Sequence, residues 1–270
     1  MSKKEINFTK MQGLGNDFVV VRAEDIAGVE NISDFVKKIC DRRFGVGGDG
    51  VGVILAKPEG ADAEFRIFNS DGSEAMMCGN GIRGAAIYAR DNGIVGKDKK
   101  EIAFKTKSGI KVVSFVGGDV RVDMGEPIIY GDMVVNGKTG KNVSMGNPHF
   151  VIVYNKDIGD LDLECIGPKF ENAPVFPDRT NTEFVKILDR KNIDMRVWER
   201  GAGETLACGT GACASAVAAA TDDLTDREVR IHMRGGNLNI DWKKSDNRVY
   251  MTGPAETSFI GKFFFNRQKQ

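Results

Sequence analysis

Alternating apolar and polar residues divide most of the chain into short segments typical of β-strands. These segments carry β-branched and aromatic residues and end at Gly, Asn or Asp, which favour turns. In the first half the segments are INFTKM, DFVVVRA, VGVILA, AEFRIFN, EIAFKT, GIKVVSFVG and DVRVDMG. In the second half they are HFVIVY, TEFVKIL, DMRVWER, EVRIHMR, NLNIDWK and RVYMTG. Most of the fold is therefore predicted to be β-sheet.

Two Gly-rich turns are each followed by a helix that is apolar on nearly every side. The first helix is predicted over residues 79–92, with Gly93 as its stop, and the second over residues 209–221. Both are rich in Ala and have almost no polar stripe, so the rest of the fold must enclose them. An amphipathic segment, residues 31–45, predicts an outer helix that is capped by Asn or Ser and stopped by its last Gly.

The chain contains an internal repeat. The segment RIFNSDGSEAMMCGNGIRGAAIYAR aligns without gaps on RVWERGAGETLACGTGACASAVAAA, which lies 130 residues further along. Cys78 aligns with Cys208, and Glu74 aligns with Glu204. A looser match relates GNDFVVV to GNPHFVIV, with one residue inserted. Two related halves are therefore predicted.

The elements and the repeat together predict an α+β fold of two homologous halves related by a pseudo-twofold axis. Each half is expected to be a curled, mostly antiparallel sheet around its apolar helix, with an active site in the cleft between the halves. The boundary is placed at the turn-forming Gly-Glu-Pro segment. The N-terminal half is therefore residues 1–125, completed by the C-terminal segment 256–270, and the C-terminal half is residues 126–255.

Composition narrows the functions that this fold could have. Apolar residues make up 41% of the 270 and charged residues 28%, which excludes a disordered chain. The 38 basic residues balance 38 acidic ones, so neither nucleic acid nor an anionic membrane is expected as a partner. Apolar runs are far shorter than the roughly 20 residues of a membrane span, and the charged N-terminus does not resemble a signal peptide. A cytoplasmic protein is expected.

The five cysteines are odd in number and widely scattered, which predicts thiols rather than a disulfide framework. They form no CxxC pair, and the two histidines lack zinc-site spacing, so no metal is expected. Cys40, Cys165 and Cys213 stand in apolar settings typical of inert, buried cysteines. Cys78 and Cys208 differ, because each directly precedes Gly-x-Gly at a predicted helix start.

A cysteine at a helix start can act as an acid or a base. Backbone N–H groups and the positive end of the helix dipole favour an anion there, which predicts a lowered thiol pKa. Two such cysteines facing one substrate would suit a racemase or epimerase, in which one sulfur removes a proton from a carbon and the other returns a proton to the opposite face. This chemistry needs no cofactor, and none is expected. Glu74 and Glu204 are either catalytic carboxylates or braces that accept backbone N–H bonds in the Gly-rich turns, and the second interpretation is favoured.

Five segments, which together span nearly the whole chain, resemble diaminopimelate epimerases, the pyridoxal-independent enzymes of lysine and peptidoglycan-precursor synthesis. They are GLGNDF, RIFNSDGSEAMMCGNGIR, GNPHFV, NTEFV and WERGAGETLACGTGACA. The resemblance implies that LL-2,6-diaminopimelate is epimerised to the meso form by Cys78 and Cys208 as a thiolate–thiol pair. It also implies a homodimer.

The resemblance further implies roles for polar residues in these segments. His149 and Glu199 match catalytic positions close to the reacting centre, although His149 alone could equally be a core histidine. Glu199 would suit the ammonium and Arg200 the carboxylate of the non-reacting end of the substrate. The matched substrate-binding positions are Asn16, Asn69, Gly79, Asn80, Asn147, Asn181, Glu199, Arg200, Gly209 and Thr210, among which Gly79, Asn80, Gly209 and Thr210 would surround the reacting carboxylate.

Three alternatives stay open at this point. A proline or hydroxyproline racemase would share the duplicated, two-base plan, although the Cys-Gly-Asn-Gly and Trp-Glu-Arg segments argue against it. A redox or scaffold protein could join Cys78 and Cys208 in a regulatory disulfide. A pyridoxal enzyme would need a Schiff-base lysine, and no segment resembles such a motif.

Overall fold

The computed structural model describes residues 3–266, which form two compact units. The first unit contains the described residues up to Val122 together with those from Pro254 onward, and the second unit is Asp123–Gly253. The sequence analysis placed both boundaries a few residues further along the chain. Both ends of the described chain lie in the first unit because the first strand pairs with the last.

The first unit is a largely antiparallel sheet with two helices. The helices are α1 (Ile32–Cys40) and α2 (Gly79–Asp91). The strands are β1 (Lys3–Gly13), β2 (Asn16–Arg22), β3 (Gly50–Ala56), β4 (Ala63–Asn69), β5 (Glu74–Ala75), β6 (Glu101–Thr106), β7 (Gly109–Val116), β8 (Asp119–Gly125) and β18 (Glu256–Asn266). The unit boundary after Val122 falls within β8. Two pairings are parallel, β2 with β3 and β4 with β6. Strands β1, β2, β3, β4, β7 and β18 all contact α2.

The second unit repeats this plan. Its helices are α3 (Leu163–Glu171) and α4 (Gly209–Thr221). Its strands are β9 (Ile128–Val135), β10 (Lys138–Ser144), β11 (Pro148–Val153), β12 (Asn181–Asp189), β13 (Asn192–Glu199), β14 (Gly203–Thr205), β15 (Glu228–Met233), β16 (Gly236–Trp242) and β17 (Val249–Gly253). The parallel pairings are again two, β11 with β12 and β13 with β15. Helix α4 contacts strands β10 to β13 and β15 to β17.

The two repeated helices are enclosed, as their apolar sequences predicted. Every residue of α2 from Gly79 to Ala86 is buried, and so is every residue of α4 from Gly211 to Ala219. The observed bounds of α4 are the predicted ones, and α2 ends one residue early because Asn92 caps it. Small side chains allow this enclosure, since strands can approach an Ala-rich helix on all sides.

The predicted outer helix is confirmed as α1. Its N-cap is Asn31, whose side chain accepts a hydrogen bond from the backbone N–H of Asp34 at 3.2 Å. The helix ends at Cys40, and Gly45 closes the following turn. Helix α3 was not predicted, because it is short and contains Pro168, a residue that disfavours a helix interior. Among residues 3–266, no helix is long and apolar enough to cross a membrane.

Candidate active site

Cys78 is the N-cap of α2, and its sulfur lies among amide groups of the first unit. The backbone N–H of Gly81 donates to Sγ at 3.4 Å, so the sulfur binds one of the donors that a helix start leaves without an intrahelical partner. Sγ also lies 3.9 Å from Oδ1 of Asn16, and the same oxygen accepts a hydrogen bond from Nδ2 of Asn80 at 3.2 Å. The structure therefore brings Asn16 and Asn80 to Cys78.

A cluster of charged residues holds Asn16 in this position. Nδ2 of Asn16 donates to Oδ2 of Asp49 at 2.7 Å, which turns Oδ1 of Asn16 toward the sulfur. Asp49 and Asp17 both bind the guanidinium of Arg42. Burial alone would raise the pKa of Asp17, but hydrogen bonds from Arg42 and Lys10 outweigh it and lower that pKa to about 2. The sequence analysis missed Asp49, because a single Asp in a Gly-rich loop carries no distinctive signal.

Cys208 is the N-cap of α4 and is more deeply buried than Cys78. Its Sγ lies 3.6 Å from Oγ1 of Thr210. Nδ2 of Asn147 donates to that Oγ1 at 3.3 Å, and Oδ1 of Asn147 lies 3.0 Å from Nε2 of His149. The structure therefore places Thr210, Asn147 and His149 in one chain of contacts that ends at Cys208.

Glu183 lies at the other end of this chain, and the sequence analysis missed it. Its Oε1 lies 2.7 Å from Nδ1 of His149, and both side chains are wholly inaccessible to solvent. Glu183 shares one face of β12 with Asn181 and Val185, and the whole segment from Asn181 to Val185 is buried. A carboxylate at an inward position of a buried strand is rare without a partner, and this is the signal that could have identified it.

Burial governs the acidity of the second cluster. It raises the pKa of the Glu199 carboxyl, which accepts hydrogen bonds from Thr205 and Cys208. It also raises the pKa of the Cys208 thiol well above its usual value, and the carboxylates of Glu199 and Glu183 raise it further, whereas a hydrogen bond with Thr210 lowers it. The predicted lowering of the thiol pKa is therefore wrong for Cys208, because desolvation outweighs the helix start. With its pKa raised, Cys208 keeps its proton and can act as a proton donor.

The remaining polar candidates lie outside these two chains of contacts. Asn181 braces a loop: its Nδ2 donates to a backbone carbonyl of β11 at 2.8 Å, and its Oδ1 accepts from the backbone N–H of Arg200 at 3.0 Å. The Arg200 guanidinium is exposed and donates to the backbone carbonyl of Asp178. Asn69 is exposed and donates to Oγ of Ser73 at 3.0 Å, as a turn residue would. Gly79 and Gly209 are the first residues of their helices.

Glu74 and Glu204 brace the fold, but not through backbone N–H groups as predicted. Each accepts a hydrogen bond at 2.8 Å from the Nε of an arginine eight residues upstream, Arg66 in the first unit and Arg196 in the second. Strand pairing brings each pair together, because β4 pairs with β5 and β13 pairs with β14. Arg196 binds both oxygens of Glu204 with its guanidinium fork, a stronger arrangement than a single backbone N–H would give.

The other cysteines differ in exposure. Cys40 and Cys213 are buried as expected, and burial raises the pKa of Cys40 to about 12. The prediction for Cys165 is wrong, because α3 is amphipathic and places this residue on its exposed side. In the described part of the chain, no group of three or more His, Cys, Asp or Glu residues is arranged to hold a metal ion.

The family model for diaminopimelate epimerase matches residues 8–130 and 141–258, which include both cysteine clusters. This chain belongs to the diaminopimelate epimerase family. As a member of that family it is an isomerase. It is similar to a diaminopimelate epimerase from Acetivibrio thermocellus, with 46% identity over 97% of this chain and 99% of that protein.

Solved structures with the same fold are more distant in sequence. A phenazine biosynthesis protein of the PhzF family from Bacillus anthracis has a TM-score of 0.73 at 16% identity, covering 96% of this chain and 99% of that one. A probable proline racemase from Agrobacterium radiobacter has a TM-score of 0.71 at 13% identity, covering 95% of this chain and 92% of that one. These likenesses show the fold alone, so the proline racemase alternative lacks the sequence support that the diaminopimelate epimerases provide.

Proposed function

We propose that this isomerase interconverts LL- and meso-2,6-diaminopimelate by a two-base mechanism in which Cys78 and Cys208 are the catalytic residues. The observation that carries the proposal is the repeated placement of a cysteine at the N-cap of an enclosed helix. The amide of Asn16 contacts the sulfur of Cys78. The amide of Asn147 contacts Thr210, whose hydroxyl contacts the sulfur of Cys208. Inert core cysteines would need no such surroundings.

The acidity of Cys208 assigns a direction to the first step. Cys208 holds its proton because its thiol is buried next to the carboxylate of Glu199. Turnover from this state therefore begins with Cys78 as the thiolate base, which removes the α-proton, and Cys208 then protonates the opposite face of the carbon. The reverse reaction starts from the exchanged state. His149 and Glu199 act beside the reacting centre, where the Glu199 carboxylate accepts a hydrogen bond from the Cys208 thiol.

The α-proton of an amino acid is far less acidic than a thiol, so the base alone is not sufficient. Each pKa unit of mismatch costs about 1.4 kcal/mol. The starts of α2 and α4 would lower this barrier by directing backbone N–H groups at the substrate carboxylate while it gains enolate character. Gly79 and Asn80 begin one helix, and Gly209 and Thr210 begin the other.

The non-reacting end of the substrate carries a second ammonium and a second carboxylate. We assign these groups to polar residues at strand ends, of which Asn69 and Arg200 are exposed and Asn181 is buried. The Arg200 guanidinium offers a fork for the distal carboxylate. Asn69 and Asn181 can donate to a carboxylate and accept from an ammonium. A site that recognises both distal groups would discriminate against amino acids with short side chains, proline included.

Single cysteine variants test the mechanism. In ²H₂O, the wild-type protein should exchange the α-proton of both stereoisomers with solvent, as followed by ¹H NMR. Cys78→Ala and Cys208→Ala should each reduce this exchange at least about 10³-fold, because either change removes a base or an acid that the reaction needs. Cys213→Ala, on the same helix as Cys208, and Cys40→Ala in the first unit are matched controls that should keep exchange. Full exchange in both active-site variants would disprove the assignment.

We further propose that the enzyme works as a cofactor-free homodimer in the cytoplasm. Sedimentation velocity at micromolar concentration should give the mass of two chains. Activity should survive dialysis against a metal chelator, and the absorption spectrum should lack a pyridoxal band. Loss of activity with a chelator, restored by a metal ion, would contradict the cofactor-free mechanism.

A further inference from the structure

The two units differ at the place where strands support the starts of α2 and α4. In the second unit, the parallel pairing of β11 with β12 places Val151 opposite Glu183. In the first unit, the equivalent pairing of β2 with β3 places Val20 opposite Gly52. The gapless repeat aligns Ile67 with Val197, and these two residues pair with Gly52 and Glu183, so Gly52 is the counterpart of Glu183.

The space that Glu183 occupies is filled by an aromatic ring in the first unit. A Cβ at Gly52 would lie 2.9 Å from the ring of Phe65, and a Cβ at Gly81 of α2 would lie 3.4 Å from the same ring. In the second unit, a Cβ at Gly211 of α4 would lie 2.6 Å from Oε1 of Glu183. One repeated helix start thus rests on a hydrocarbon ring and the other on a carboxyl group.

Hydrogen-bond accounting shows how the fold accommodates this buried carboxyl. The amide oxygen of Asn147 can only accept, so Nε2 of His149 must carry a proton toward it across 3.0 Å. A second proton is shared across the 2.7 Å contact between Nδ1 of His149 and Glu183. With two protons the pair has no net charge. Neutrality lowers the cost of burying Oε2 of Glu183, which has no hydrogen-bond partner among residues 3–266, and it weakens the effect of Glu183 on the Cys208 thiol.

The proton on Nε2 of His149 also gives the contacts a direction. Asn147 accepts from His149 with its oxygen, so its Nδ2 donates to Oγ1 of Thr210. Thr210 therefore accepts with its oxygen and keeps its own hydrogen for the sulfur of Cys208, 3.6 Å away. If Nε2 of His149 lacked its proton, Asn147 would turn over and Thr210 would donate away from the sulfur.

We propose that Glu183 is a positioning residue for Cys208, which acts through His149, Asn147 and Thr210 to direct a hydroxyl hydrogen at the sulfur. The proposal rests on the proposed function, in which Cys208 alternates between thiol and thiolate. The directed hydroxyl stabilises the thiolate when it forms, so the chain of contacts affects catalysis more than substrate binding. In the first unit Gly52 and Phe65 stand in the equivalent place, and the sulfur of Cys78 is approached instead by Asn16, which Asp49 holds.

Two substitutions of Glu183 separate hydrogen bonding from charge. Glu183→Gln can still donate an N–H to Nδ1 of His149 and keep the proton on Nε2, whereas Glu183→Met cannot. Glu183→Met should lower kcat about tenfold with KM changed less than about threefold, the effect of one lost hydrogen bond. Glu183→Gln should recover most of that loss. Equal losses in both variants, or a change in KM alone, would overturn the proposal.

A double-mutant cycle tests whether Glu183 acts through Thr210. Thr210→Val should also lower kcat about tenfold, and Thr210→Ser should recover most of that loss. The double variant with Glu183→Met and Thr210→Val should have a kcat no more than about twofold below that of the slower single variant. Multiplied losses would mean that the residues act independently and would refute the chain. The control is Thr182→Val, next to Glu183 on β12, where the buried hydroxyl has no hydrogen-bond partner in the described part of the protein. If Glu183→Met does not fold, Thr210→Val and Thr210→Ser still test whether the hydroxyl directed at Cys208 is needed.

A spectroscopic measurement is independent of the reaction. The chain has two histidines, so ¹⁵N-histidine labelling with His232→Gln as the reference variant assigns the ring signals of His149. Nε2 of His149 should show the shift of a protonated nitrogen. A bare Nε2 would overturn the inference even if the enzyme is active, whereas a protonated Nε2 in a protein without epimerase activity would disprove the proposed function alone.

Discussion

The contact between Gly211 and Glu183 predicts that the two repeated helix starts respond oppositely to the same mutation. Gly211 is the third residue of α4, and Gly81 is the third residue of α2. A methyl group at Gly81 would meet its three nearest atoms at 3.4 Å, which is ordinary packing. A methyl group at Gly211 would lie 2.6 Å from Oε1 of Glu183 and 3.3 Å from the sulfur of Cys208.

These distances set the expected energies. Non-bonded atoms attract at roughly 3.5 Å, so the methyl group of Gly211→Ala overlaps a carboxyl group that His149 holds in place. Overpacking of this kind costs about 1–3 kcal/mol. Replacing Gly by Ala inside a helix stabilises it by up to about 1 kcal/mol, and this gain is common to both sites. Gly81→Ala should therefore be neutral or stabilising, and Gly211→Ala should be less stable than Gly81→Ala by about 2 kcal/mol.

Urea denaturation at pH 7 and initial rates measure the two effects. Gly211→Ala should also lose at least about tenfold in kcat, because Glu183 must move away from His149, whereas Gly81→Ala should stay within about threefold. In a Glu183→Ala background the overlap is absent, so Gly211→Ala should then cost less than about 0.5 kcal/mol. Equal losses of stability and activity in the two glycine variants would show that the contact with Glu183 does not matter.

Three further predictions follow from ion pairs and thiol burial. Asp17→Asn should lower the free energy of unfolding by about 2 kcal/mol at pH 7, because the pKa of Asp17 in the folded protein is lowered to about 2. The difference in stability between the variant and the wild type should begin to shrink below pH 4 and vanish near pH 2. Urea denaturation at a series of acidic pH values would show this. Among the cysteines outside the proposed catalytic pair, iodoacetamide should label the exposed Cys165 before the buried Cys40 and Cys213, as mass spectrometry of timed digests can establish. Glu204→Gln should lower the free energy of unfolding in urea by about 1–3 kcal/mol, because its arginine partner is buried. Glu74→Gln should lower it by less than about 1 kcal/mol, because its arginine partner is half-exposed. Equal losses of stability in the two variants would contradict this reasoning.

The repeat is the feature that made much of the fold predictable from the sequence. The bounds of α4 could be read directly, because Ala-rich sequence begins after Cys208 and runs to the polar residues that follow Thr221. Helix α3 escaped prediction because Pro168 hides a short amphipathic pattern. The four parallel strand pairs also could not be predicted, since pairing direction depends on connections between distant segments rather than on local alternation.

The candidate site was less predictable than the fold, because partners come from distant parts of the chain. The sequence gives the positions of Cys78 and Cys208 but cannot show how burial sets a pKa, so the direction for Cys208 was wrong. Glu183 and Asp49 were missed because their roles depend on which side chain faces them. Asn69 was predicted to bind substrate, but its observed contact with Ser73 is the one that an ordinary turn residue makes.

Pairing of the first strand with the last has a consequence for synthesis. Strand β18 is synthesised long after β1, and until β18 emerges from the ribosome β1 lacks the neighbour with which it pairs along most of its length. The unit formed by Asp123–Gly253 is continuous in sequence and can complete its sheet earlier. The second unit is therefore able to complete its sheet before the first unit, in which β1 keeps an unsatisfied strand edge until β18 emerges.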